Sequence, residues 1–170
     1  MTHPLDDVMR TADGFVVIGN SADDRFPAMS YASYVALNKR FFALDLDGIT
    51  EARGPAAGGK VYPNPESLPR DDLGELAIIW VKPKQAAEAV QIAHDLGLTK
   101  IWFSFKTATE DAVDLAAELG LEVVEVGRCP VYYAGGGHMG CRLHTAAARM
   151  SGLLGKPPNL DADKDRRELL

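Results

Sequence analysis

The chain is poor in the features that most often assign a protein to a class. Two of its 170 residues are cysteine, Cys129 and Cys141. That is too few for a disulfide framework, so free thiols in a cytoplasmic setting are expected. No apolar run approaches the ~20 residues that a membrane span needs. The opening M-T-H-P-L-D-D-V-M-R has no apolar signal core, so secretion is not expected. Positive charge is scarce: 18 Lys and Arg stand against 24 Asp and Glu, for a net charge of −6. A general nucleic-acid surface is therefore not expected. Also missing are a full G-x-G-x-x-G, a nucleophile elbow, a paired-carboxylate motif and a metal triad that spacing can defend. No catalytic residue is assigned on this basis, and the chain has no room for the substrate domain of a dehydrogenase.

What is present is alternation. Residues 4–11 fit a short helix with Pro4 in its first turn and Leu5, Val8 and Met9 on one face. Short apolar runs predict strands at Phe15–Gly19, Phe41–Leu46, Leu76–Val81, Lys100–Phe105 and Glu122–Val126. Amphipathic spacing predicts helices between them, over 28–39, from Pro83 to about Leu96 and over 110–119, with Gly97 and Gly120 as stops. A further helix fits 145–154. The Gly, Ala and Pro content of 48–60 predicts a mobile loop, with a short extended piece at Val61-Tyr62. The expectation is one α/β domain over 1–154, a five-stranded, mainly parallel sheet with helices on both faces. Residues 155–170 are expected to form a flexible, solvated tail. Right-handed crossovers would set every strand-to-helix loop along one edge, where ligands of such sheets bind.

The stretch G-F-V-V-I-G-N-S-A-D-D-R-F-P-A, residues 14–28, is the centre of that plan. A buried strand, a small polar loop at Gly19, Asn20 and Ser21, and a helix N-terminus make a candidate anion site. The same residues also suit an ordinary βα turn.

Four segments together resemble the small bacterial CoA-binding proteins of the Rossmann type, related to the CoA-binding domain of succinyl-CoA synthetase α-subunits. They are V-V-I-G-N-S-A-D-D-R-F-P, G-G-K-V-Y-P-N-P-E-S-L-P, I-W-F-S-F and G-R-C-P. The resemblance spans residues 14 to 134. It implies a Rossmann-like fold and a CoA diphosphate lying over Gly19, Asn20 and Ser21, with Arg25 nearby. Lys82 and Lys106 would sit further along the same edge. There are departures: the family's Asn-Pro after the second strand is Asp45-Leu46-Asp47 here, and Phe105 and Lys106 fill a loop where the family often has Gly.

Asp45 and Asp47 bear on the choice of ligand. A carboxylate at the end of the second strand suits the free ribose hydroxyl of NAD, whereas the 3′-phosphate of CoA would be repelled unless a cation such as Arg53 or Lys60 folds over it. Arg25 can grip a diphosphate bidentately or pair with Asp23 or Asp24. Cys129, His138, Cys141 and His144 carry zinc-ligand chemistry at the spacing C-x8-H-x2-C-x2-H, which fits no defensible zinc pattern, and no metal is assigned. The leading expectation is non-catalytic binding of CoA or acyl-CoA. The alternatives are an NAD(H)-binding regulator, an enzyme using Cys129, and a nucleotide-free interaction module with a protein partner.

Overall fold

The computed structural model describes residues 3–21 and 27–162. Helix α1 (Pro4–Thr11) is closed at its start by a capping box: the His3 ring accepts the Leu5 amide, and Asp6 accepts the amide of His3. It buries Leu5 and Met9. Strand β1 (Phe15–Gly19) follows, buried at every position. Next come α2 (Ala28–Ala36), β2 (Phe41–Asp45), β3 (Leu76–Trp80), α3 (Ala86–Asp95), β4 (Lys100–Phe103), α4 (Glu110–Glu118), β5 (Glu122–Val126) and α5 (Met139–Met150).

The five strands are all parallel, in the order β2-β1-β3-β4-β5. The chain steps from β1 to β2 on one side and then returns to place β3 on the other. That reversal beside β1 is the topological switch point of a doubly wound, Rossmann-like sheet. Alternate residues of each strand serve opposite layers. Phe15, Val17, Ile78, Trp102 and Val124 pack with Leu5, Met9, Tyr31, Tyr34, Cys141 and Ala148, which belong to α1, α2 and α5. Val16, Ile18, Ala77, Ile79, Ile101 and Phe103 pack with the alanine-rich faces of α3 and α4. Small residues on α3 and α4 let both helices lie close to the sheet.

Three expectations from the sequence need correction. Residues 48–60, expected as a mobile loop, carry ordered backbone pairing, and the expected extended piece at Val61-Tyr62 is present. Ala52 donates to the Gly59 carbonyl (2.7 Å) and Val61 to that of Thr50 (3.0 Å), closing a small flap. Tyr62 then pairs alongside β2, donating to Ala43 (2.7 Å) and accepting from Asp45 (2.9 Å). Helix α5 begins at Met139 rather than Thr145, because His138 caps it by accepting the Gly140 amide at 3.3 Å. The segment after Gly155 is held rather than frayed as far as Asn159. The guanidinium of Arg128, which is fully buried, donates to the carbonyls of Lys156 (2.9 Å) and Pro157. The Asn159 amide donates to Glu125 (2.9 Å), and its carbonyl accepts from Val126 (2.8 Å). Residues 163–170 lie outside the described part.

Candidate functional site

The C-terminal ends of the parallel strands share one edge, and the chemistry-bearing residues of the sequence collect there. Gly19, Asn20 and Ser21 leave β1, Asp45 and Asp47 leave β2, Lys82 follows β3, and Lys106 lies in the loop after β4. Arg25 lies outside the described residues.

Four of these side chains interlock. Asn20 Nδ2 donates to Asp47 Oδ2 at 2.6 Å, and Ser21 Oγ donates to Asp45 Oδ1 at 3.3 Å. The same Asp45 Oδ1 accepts the amides of Asp47 (2.9 Å) and Ile49 (3.5 Å), so it folds the turn that leaves β2. Asn20 and Asp45 are buried, whereas Asp47 is exposed. Two oxygens of this cluster, Asn20 Oδ1 and Asp45 Oδ2, have no hydrogen-bond partner among the described residues. Burial pushes the Asp45 carboxyl above its ordinary value; the two amides and Ser21 oppose the rise, and the neighbouring Asp47 charge adds to it. Tyr31 is buried on the adjoining helix, and burial together with the Asp45 charge drives its phenol pKa upward.

Gly19 is required by close approach. A Cβ there would lie 3.1 Å from Pro27 Cδ and 3.4 Å from the Tyr31 hydroxyl. The start of α2 is thereby seated directly against the exit of β1, the arrangement that brings a helix N-terminus to an anion.

The lysines are set differently. Lys82 is half-buried at the exit of β3. Lys106 is exposed in the left-handed region at φ 51°, with its ammonium 4.9 Å from the Phe105 ring centroid. The position where the resemblance led us to expect glycine thus keeps the backbone conformation that glycine favours. Thr107 Oγ1 donates to the Val81 carbonyl at 3.1 Å and ties the exits of β3 and β4 together.

The sequence reading had Arg53 or Lys60 folding over the ligand from a mobile loop; it did not show the ordered flap that carries them. Between it and α2 lies a cleft of about 700 Å³ lined by Tyr31, Val35, Phe41, Pro55, Lys60 and His138, among others. Arg53 and Lys60 are exposed on the flap, and Lys60 Nζ sits 4.3 Å from the Tyr62 ring centroid. The signal in the sequence was the extended Val61-Tyr62 pair, which had to find a strand to lie beside.

Cys129, His138, Cys141 and His144 do not converge on a metal. Both thiols are buried in the core, His138 Nδ1 is engaged as the cap of α5, and His144 is exposed on that helix. Among the described residues no three His, Cys, Asp or Glu side chains are placed to hold an ion. No helix among them is long and apolar enough to cross a membrane.

A family model described as CoA binding domain matches residues 14–133. The chain belongs to the CoA binding domain family. The match runs from the glycine before β1 to the short turn after β5, so it takes in the whole sheet and its edge. This CoA binding domain is similar in structure to a hypothetical protein from Pyrococcus horikoshii OT3, with TM-score 0.63 and 23% identity, covering 76% of this chain and 86% of that one. It is also similar to a conserved hypothetical protein from Pyrococcus furiosus (0.58, 19%, 71% and 97%) and to a protein from Thermus thermophilus (0.57, 15%, 76% and 92%). At these identities the likeness bears on the fold, the same Rossmann-like sheet. No curated protein matches the chain.

Proposed function

We propose that the protein binds CoA or an acyl-CoA without performing chemistry on it, as a carrier or sensor working with a partner in the cytoplasm. The diphosphate lies over Gly19, Asn20 and Ser21, with Lys82 and Lys106 further along the edge; Arg25, outside the described residues, is the guanidinium proposed to grip it. The observation that carries the reading is the polar exit of β1 at the switch point of the sheet, within a CoA-binding-domain match. The NAD(H) alternative leaned on two carboxylates offered to a ribose. Asp45 is buried and its Oδ1 already takes three donors, which leaves Asp47 as the exposed acid for that role.

Thermal unfolding with CoA, an acyl-CoA and NAD tests this directly. A ligand that binds only the folded state at about 100 times its Kd stabilises by about 2.7 kcal/mol. A concentration-dependent rise in Tm with CoA or acyl-CoA, and none with NAD, is the expected result. A rise with NAD alone would move the assignment to a dinucleotide. No rise with any of the three would leave a nucleotide-free interaction module.

A further inference from the structure

The β1 and β2 exits bring together a set of oxygens that the proposed diphosphate does not explain. Asn20 Oδ1 and Asp45 Oδ2 are buried carbonyl and carboxylate oxygens without a hydrogen-bond partner among the described residues. Beside them stands the carboxylate of Asp47, which Asn20 holds through its other side-chain atom at 2.6 Å. Asn20 is 1% exposed and Asp45 0%. An unpaired buried acceptor costs about 1–3 kcal/mol, more when charged, and a bound cation would relieve that cost for both oxygens. Neutral amide and carboxylate oxygens are the donor set of a hard divalent cation such as Mg²⁺ or Ca²⁺, not of zinc or copper.

The surroundings agree. Asp45 Oδ1 is held by Ser21 and by two backbone amides, so Oδ2 is fixed in direction rather than free to rotate into water. Asp45 and Asp47 place two carboxyl groups beside the proposed phosphate seat, where a divalent cation can join carboxylate to phosphate. Mg²⁺ is commonly bound by one or two carboxylates, several waters and substrate phosphate oxygens.

We propose that Asn20, Asp45 and Asp47 hold a divalent cation at the ends of β1 and β2, and that this ion bridges to the phosphates of the bound nucleotide. The bridging half rests on the nucleotide reading given above, whereas the ion site does not.

Two measurements separate these claims. The first uses Mn²⁺ alone, followed by electron paramagnetic resonance on the full chain without nucleotide. Wild type is expected to take up one ion, Asp47→Asn to lose it, and Glu118→Gln, an exposed carboxylate on α4, to keep it. Asp47 is exposed, so that variant tests the site even if Asp45→Asn fails to fold. Absence of bound Mn²⁺, or uptake unchanged in Asp47→Asn, overturns the site. The second is calorimetric titration of CoA with MgCl2 or with EDTA. Binding about tenfold tighter with MgCl2 in wild type, and a difference that vanishes in Asp47→Asn, supports bridging. Equal CoA affinity in both buffers overturns bridging while the nucleotide reading stands. No CoA binding in either buffer, with Mn²⁺ still taken up, overturns bridging and the nucleotide reading but keeps the ion site.

Discussion

Two buried polar clusters sit at opposite ends of the same sheet edge, and they are built on opposite plans. At β5, Glu125 and Arg128 are both fully buried and lie 3.3 Å apart. The Arg128 guanidinium donates to the Tyr133 hydroxyl at 2.8 Å and to two carbonyls of the C-terminal segment, and the Arg128 carbonyl accepts from Trp102 at 2.7 Å. A carboxylate there meets its counter-charge within the chain. At β1 and β2, Asp45 is equally buried, yet its neighbours are Asp47, Asn20, Ser21 and a tyrosine, with no cation bonded to its carboxylate among the described residues. A charge answered internally clasps the fold. At the switch point the Asp45 carboxyl has no such counter-charge bonded to it among the described residues, and there the proposed ion would supply one.

The largest expected effect comes from breaking the clasp. Arg128→Ala strands the Glu125 carboxylate in the core and should cost about 3–5 kcal/mol, read by urea unfolding. The double change Arg128→Met with Glu125→Gln should recover much of it. A loss near zero in the single variant would erase the contrast between the two clusters.

Next in size is Gly19→Ala. The added methyl meets Pro27 and Tyr31 and should cost about 1–3 kcal/mol by overpacking. It should also weaken CoA binding by moving the start of α2, so a variant that keeps full affinity would argue against the loop as the diphosphate seat.

Asp45→Asn sharpens the other side of the comparison. The folded-state pKa of Asp45 is raised from 3.8 by burial. The folded protein therefore holds this proton where the unfolded chain has released it, and stability falls as pH rises from about 3.8 through the raised value. Asn at 45 should remove that fall, measured as unfolding free energy against pH relative to wild type. In EDTA the same variant should bind CoA more tightly, because a negative charge is gone. With MgCl2 it should bind CoA more weakly, because an ion ligand is gone. An unchanged sign in the two buffers would contradict the cation bridge.

The smallest effect belongs to Lys106→Gly. Removing a side chain from φ 51° relieves backbone strain and should raise stability by less than about 1 kcal/mol, with a modest loss of CoA affinity. A loss of stability would mean that the loop is held by the Lys106 side chain.

How far these features could be read from the sequence varies along the chain. Strands were plain from their short apolar, β-branched or aromatic stretches: Phe15–Gly19 and Glu122–Val126 match the sequence reading, and Leu76–Trp80 and Lys100–Phe103 differ from it at one end only. Their exits, and with them Gly19, Asn20, Ser21, Lys82 and Lys106, followed from the alternation. What was hidden depends on contacts between distant residues. Nothing in Asp-Leu-Asp says which carboxylate turns inward, since that is decided by Ser21 and by Asn20, 24 and 27 residues away. Glu125 looks like a solvent-facing strand residue, but a register shift between β4 and β5 pairs it with Trp102 and buries it beside Arg128. The flap and the docked segment through Asn159 read as loop and tail because each is held by backbone bonds and a buried guanidinium rather than by an apolar stripe of its own.

The most direct test of the central reading is an amide NMR titration of the protein with CoA. The account predicts that the largest shifts fall on Gly19, Asn20 and Ser21, with smaller ones at Lys82 and Lys106, while the opposite end of the sheet around Asp13 and Gly74 stays still. Shifts concentrated at that opposite end, or none at the exit of β1, would contradict it.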